Sequence, residues 1–285
     1  MFARGFAILS LIASSAAVAA PEPKQPTGKW VVHFDAAQCV ATREYGTEEK
    51  PLHFILKAPA LGDVLQMGLV WKAGPREPVQ IDGEVEFDNA SPIQASLLEF
   101  GNRKAGQRVL LVNLPLAELA PMHSAKAVRI RARDKANSAL GTRVAFGLST
   151  VDETLALSQV ASLLKMMATC TEDLRRVWNV SDGTRPSLLK EPPAGNVTQL
   201  FRPQDYPGIA LDKQQTGSTE LVMLIDEMGK VADCIVTQTS GSASLDAQSC
   251  VVIRDRGKFK PAVGQDGKPA KSSWRQRITY EMLGA

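Results

Sequence analysis

The stretch GSTELVMLIDEMGKVADCIVTQTSGSASLDAQSC, residues 217–250, decides how the last third of the chain folds. Leu221, Met223 and Ile225 alternate along one face of a strand. Asp226, Glu227, Met228 and Gly229 then supply a turn with a positive φ at the glycine, and residues 230–238 return as the partner strand. Ser240-Gly241-Ser242 ends that strand. Ser244 is placed to cap a helix with Asp246 in its first turn, where a negative charge meets the N-terminal dipole. The helix runs to about Arg256 and Gly257 stops it. Further on, SSWRQRITYEML (272–283) alternates Trp274, Ile278 and Tyr280 with Arg275, Arg277 and Thr279, which fits a closing strand. The order is strand, strand, helix, strand.

Outward from this stretch, the other end opens MFARGFAILSLIASSAAVAAPEPKQPTG (1–28). Arg4, an apolar run from Phe6 to about Ile12 and the small residues Ala17-Val18-Ala19 follow the order of a secretory signal peptide, so residues 1–20 are expected to be removed. An uncleaved anchor is the alternative, but the apolar or small stretch 6–20 is shorter than the ~20 residues a bilayer core requires. Export to the periplasm lets disulfides form, and four cysteines allow two. Their separations, 131 residues for Cys39 and Cys170 and 16 for Cys234 and Cys250, fit no zinc-ligand pattern. A net charge of +3 on 285 residues argues against a general polyanion binder, so nucleic acid is not expected as a partner. No second apolar run reaches membrane-spanning length, and membrane contact is expected only if the leader stays as an anchor.

Residues 28–180 carry short β-like runs separated by Gly, Pro, Asn and Asp: KWVVHF, LHFILKA, VLQMGLVW, PVQIDGEVEFD, QRVLLVNL, AVRIRARD and TRVAFGLS. Turn signals at such spacing suggest an antiparallel sandwich or barrel-like domain. Residues 151–180 are predicted as one long closing helix, with Asp152 capping it and Leu157, Val160, Leu164, Met167 and Leu174 at helical spacing. Cys39 follows the first strand and Cys170 lies in this helix, so a bridge between them would tie the closing helix to the opening of the domain. Residues 181–199, with three prolines and two glycines, are expected to be an interdomain linker.

The remaining stretch, 200–285, resembles the TonB C-terminal domain family. The residues that carry the likeness are Tyr206-Pro207, Gly217, Ile225-Asp226, Gly229, Val231, Ser240-Gly241, Leu245-Asp246, Phe259, Pro261-Ala262, and Gly267 followed by Pro269. Lys268, between the last two, is one residue more than the usual step. The resemblance implies a small two-layer α+β unit with a three-stranded antiparallel sheet. In such a fold Cys234 sits mid-strand and Cys250 in the helix across the sheet, so a bridge would staple the layers, by about 3 kcal/mol on chain-entropy grounds. Two buried free thiols are the alternative.

The resemblance also implies a partner: an extended peptide of an outer-membrane receptor, or of another periplasmic protein, added to an exposed sheet edge. The expected edge is the final strand, with Trp274, Gln276, Ile278 and Tyr280, and with Tyr206 and Pro207 nearby. Eight basic and two acidic residues between Arg254 and Arg277 form either a steering face or an ordinary solvated surface. An energy transducer of this type needs an anchor and a long spacer, and here a folded domain stands where the spacer would be.

Catalytic signals are weak. His33, His53 and His123 lie far apart, and no nucleophile elbow or phosphate loop occurs. S-x-x-K occurs at Ser162–Lys165 and Ser187–Lys190 without the K-T-G it would need. The expected whole is a periplasmic, non-enzymatic α+β protein without cofactor or metal. It comprises an antiparallel β-rich domain closed by a helix, and a TonB-like peptide-binding unit serving transmembrane transport. The rival expectation is a ligand-binding protein or hydrolase acting through its N-terminal domain, with the tail as a tether.

Overall fold

The computed structural model describes residues 22–58, 64–102, 104–133, 150–180 and 188–282. The expected leader (1–20), the expected strand at 142–149 and the first part of the expected linker (181–187) lie outside the described residues.

The N-terminal unit is one antiparallel sheet of nine strands: β1 (Val31–Phe34), β2 (Cys39–Gly46), β3 (Pro51–Ala58), β4 (Val64–Lys72), β5 (Val79–Phe87), β6 (Ile93–Asn102), β7 (Gln107–Pro115), β8 (Ala127–Arg133) and β9 (Thr150–Ala156). Their order is β1-β2-β3-β4-β7-β6-β5-β8-β9. Residues 24–27 bridge its two sides and make it barrel-like. Lys24 N donates to Thr154 O and Lys24 O accepts from Ala156 N, at 2.8 and 2.9 Å, while Thr27 N donates to Glu44 O at 2.9 Å. Tyr45 Oη and Arg43 Nη1 add bonds across the same seam to the carbonyls of Ala156 and Ser158, both at 2.9 Å.

Alternate residues fill the interior: Leu52, Phe54 and Leu56 on β3, Leu65, Met67 and Leu69 on β4, Leu110, Val112 and Leu114 on β7. Helix α1 (Val160–Val177) lies against β1 and β2 and adds Val160, Leu163, Met167 and Leu174 to that core. Cys170 of α1 is bonded to Cys39 of β2, as expected.

One expected boundary is corrected. The predicted helix at 151–180 begins only at Val160, because residues 150–156 form β9. Asp152 is not a cap: it takes a two-pronged hydrogen bond from Arg129 on β8, 2.7 and 2.8 Å long. Leu155 is fully buried in the barrel. Strand pairing outweighs the local helical reading here.

The C-terminal unit comprises β10 (Leu189–Glu191), α2 (Gly208–Asp212), β11 (Gly217–Ile225), β12 (Val231–Gln238), α3 (Ala243–Arg256), β13 (Ala262–Gly264), β14 (Pro269–Ala270) and β15 (Ser272–Tyr280). Its main sheet runs β12-β11-β15, antiparallel throughout, with α3 packed on one face. The hairpin turn is as predicted: Gly229 has φ +78°, and a Cβ there would collide with the Phe259 carbonyl. The cap of α3 is Ser242 rather than Ser244, since the Ser242 hydroxyl accepts from Leu245 N. Cys234 of β12 is bonded to Cys250 of α3. The second part of the expected linker is held to this unit, with β10 pairing β13, Ala194 bridging Lys260 and Val197 buried.

Both faces of the central strand β11 are covered. Leu221, Met223 and Ile225 face α3, whereas Val222, Leu224 and Ile235 join the core of the barrel. Hydrogen bonds fix the docking. Gln80 Oε1 on β5 accepts from Ser242 Oγ and Ser244 N at 2.9 and 3.0 Å, and Ser96 Oγ on β6 accepts from Ala243 N at 3.1 Å.

Candidate functional site

The sheet of the C-terminal unit has two edges, and the fold treats them differently. β12 runs beside β4 of the barrel, so that edge is shielded. β15 pairs β11 along nine residues on its inner side, and among the described residues no other strand pairs with its outer side. An antiparallel strand with one neighbour turns alternate N–H and C=O groups outward. These groups, not a side-chain cluster, are what the edge offers to a further strand.

The register shows where each expected site residue lies. Trp274, Gln276, Ile278 and Tyr280 stand opposite Met223, Leu221, Thr219 and Gly217, so their side chains share the α3 face. Ile278 and Tyr280 are buried, and the Trp274 ring packs on Phe259 with centroids 5.4 Å apart. Tyr206 meets Tyr280 edge to face at 5.3 Å, and its hydroxyl donates to Gln215 O. Pro207 precedes α2 as its N-terminal flank. The structure therefore brings Tyr206 and Tyr280 together at one end of the strand, as supports of the edge. Arg275, Arg277 and Thr279, which were not among the expected peptide contacts, are the exposed side chains of β15. Their alternation with Trp274, Ile278 and Tyr280, interrupted at Gln276, was the signal.

Two carboxylates anchor what surrounds the edge. Asp205 accepts from Arg256 Nη2 at 2.8 Å and from Arg202 N at 2.7 Å, which pins residues 200–206 to the end of α3. The Arg256 guanidinium holds the Asp205 carboxyl below its ordinary range. Asp246 is 1 % exposed, and burial pushes its carboxyl up although Thr239 Oγ1, Ser240 N and Ser240 Oγ all donate to it. Burial likewise raises the Tyr280 hydroxyl, which shares a 3.1 Å hydrogen bond with Ser249.

The basic run is largely engaged. Arg254 pairs Asp233, Arg256 pairs Asp205, Lys260 pairs Glu191 at 3.1 Å and Lys271 sits 5.0 Å over the Trp178 ring. His33 on β1, His53 on β3 and His123 in the 3-10 turn Leu116–His123 remain on separate elements. Ser162 and Lys165 are exposed on α1, and Ser187 lies outside the described residues.

Residues 202–282 match the family model of the Gram-negative bacterial TonB protein C-terminal, which agrees with the resemblance seen in the sequence and leaves the barrel unmatched. No curated protein and no solved structure matches the chain. Among the described residues no helix is long and apolar enough to cross a membrane.

Proposed function

We propose that residues 202–282 capture an extended segment of a cell-envelope partner, of the outer-membrane receptor type, by adding it as a strand to the outer side of β15. The observation that carries this reading is the asymmetry of the small sheet: one edge lies against the barrel and, among the described residues, the other has no strand beside it. The family match over the same residues supports it. Main-chain bonds would supply affinity, and Arg275 and Arg277, exposed on the face away from α3, would favour acidic side chains on the guest. The two disulfides accord with an oxidising compartment. Docked on the barrel, the unit would present its edge from a rigid base rather than from a flexible tether. Receptor-linked uptake is the process we assign to it, with capture and release rather than bond-making as the mechanism.

The test is a titration of 15N-labelled protein with a synthetic receptor-derived peptide. Amide shifts along residues 272–280 are expected, and N-methylation of alternate peptide residues on the paired side abolishes them. Binding that leaves these amides unchanged, or that survives methylation on the paired side, overturns the reading.

A further inference from the structure

We propose that the cleft between the two units binds a small anionic amphiphile, a carboxylate carrying an apolar chain, at a site separate from the β15 edge. The cleft encloses about 440 Å³, a size typical of small-molecule sites, which run from roughly 300 to 1,000 Å³.

Strand register sets the chemistry of its floor, which is the outer wall of the barrel. Lys57 on β3 stands opposite Gln66 on β4, and Gln66 stands opposite Asn113 on β7, so a polar row crosses three strands. One outward-facing position further along, Leu111 on β7 lies beside Leu98 on β6, and Phe100 extends this apolar floor. The roof is α3 with β12. Ala243, Ala247 and Val251 recur every four residues on the lining face of the helix, beside Val236. Val251 is 48 % exposed and forms the rim.

The polar end carries a charge imbalance. Lys57 Nζ lies 3.3 Å from Asp233, and Arg254 bonds the same carboxylate and the Cys234 carbonyl. Two cations share one anion, so one positive charge has no counterpart there among the described residues. Asp246 also lines the cleft, but it lies eight residues from Arg254 along α3, about 12 Å away at 1.5 Å per residue, so its charge falls outside this end. The Lys57 and Arg254 side chains keep 18 % and 44 % exposure, which leaves donors open to a guest. A monocarboxylate would complete this end by charge-assisted hydrogen bonds while its chain lies between Leu98 and Val251.

Calorimetric titration of the full chain with octanoate, and with octanol as the uncharged probe, tests the assignment. Saturable octanoate binding is expected, with octanol weaker by about tenfold or more, the worth of one charged hydrogen bond. Lys57→Gln is expected to bring octanoate down toward octanol. Ala247→Trp, which fills the roof from a half-exposed helix position, is expected to abolish both. No saturable octanoate binding, equal affinity for the two probes, or binding unchanged in Lys57→Gln each overturns the proposal.

Discussion

The two units solve the same problem at different scales. Each packs a helix on an antiparallel sheet and fastens the helix to a strand by one disulfide, Cys39 to Cys170 around the barrel and Cys234 to Cys250 in the small unit. The barrel closes a loop of 131 residues and owns a large interior, whereas the small unit closes one of 16 and buries few residues of its own. What the small unit lacks it takes from the barrel, since Val222, Leu224 and Ile235 complete the barrel's core rather than that of α3. The comparison teaches that the C-terminal unit is stapled twice, once by a covalent bond and once by docking.

The largest expected effect breaks the comparison at the barrel. Loop-closure entropy gives the long bridge about 5 kcal/mol and the short one about 3. In urea melts, Cys39→Ala/Cys170→Ala should therefore lose more stability than Cys234→Ala/Cys250→Ala. Equal losses would mean that residual structure, not loop length, governs the unfolded chain. Next in size is the docking seam. Leu224→Ala should cost about 2 kcal/mol, the low end for a buried leucine, because a seam between units can close over the space. It should also separate one melting transition into two, whereas Leu221→Ala, on the α3 side of the same strand, should lower stability without doing so. A single transition in both variants would show that the units unfold as one body whichever face is weakened.

Much of this was legible, but β2, β6 and β9 were not read as strands. β8 was plain because Arg129 and Arg131 alternate with Val128 and Ile130, one face wet and one buried. β6 was missed because its run IQASLLEFGN mixes polar and apolar residues on both faces: Leu97 and Glu99 are buried on one side while Leu98 and Phe100 line the cleft on the other, and strands covered on both faces lose their alternation. The unbroken run Leu221–Ile225 carried the same information about docking, since a five-residue apolar strand needs cover on two sides. The hairpin and α3 followed from local signals, whereas the Cys234–Cys250 bridge followed from the resemblance to a known fold. The openness of β15 depends on strand order, and the juxtaposition of Lys57 with Arg254 on distant pairing, so neither could be read from neighbours in the chain.

The smallest expected effect sharpens the comparison inside the C-terminal unit, where two carboxylates should respond to acid in opposite senses. Asp205 has a folded-state pKa below its ordinary value of 3.8, so the stability it contributes is present above that value and is lost as pH falls through the lowered one. Asp246 has a folded-state pKa above 3.8, so its ionisation opposes folding, and protonation restores stability as pH falls through the raised value. Asp205→Asn should therefore lower stability at neutral pH and flatten the acid-side loss. Asp246→Asn, which keeps an acceptor for Ser240 and a donor for Thr239, should raise neutral stability and steepen that loss, because the cost of the buried charge and the compensating proton uptake both disappear. Urea midpoints followed from about pH 7 down to about pH 3 distinguish the two. Parallel curves would mean that the Arg256 pair no longer holds Asp205 in the folded state, and with it would go the attachment of residues 200–206 that buttresses Tyr206 against the strand edge.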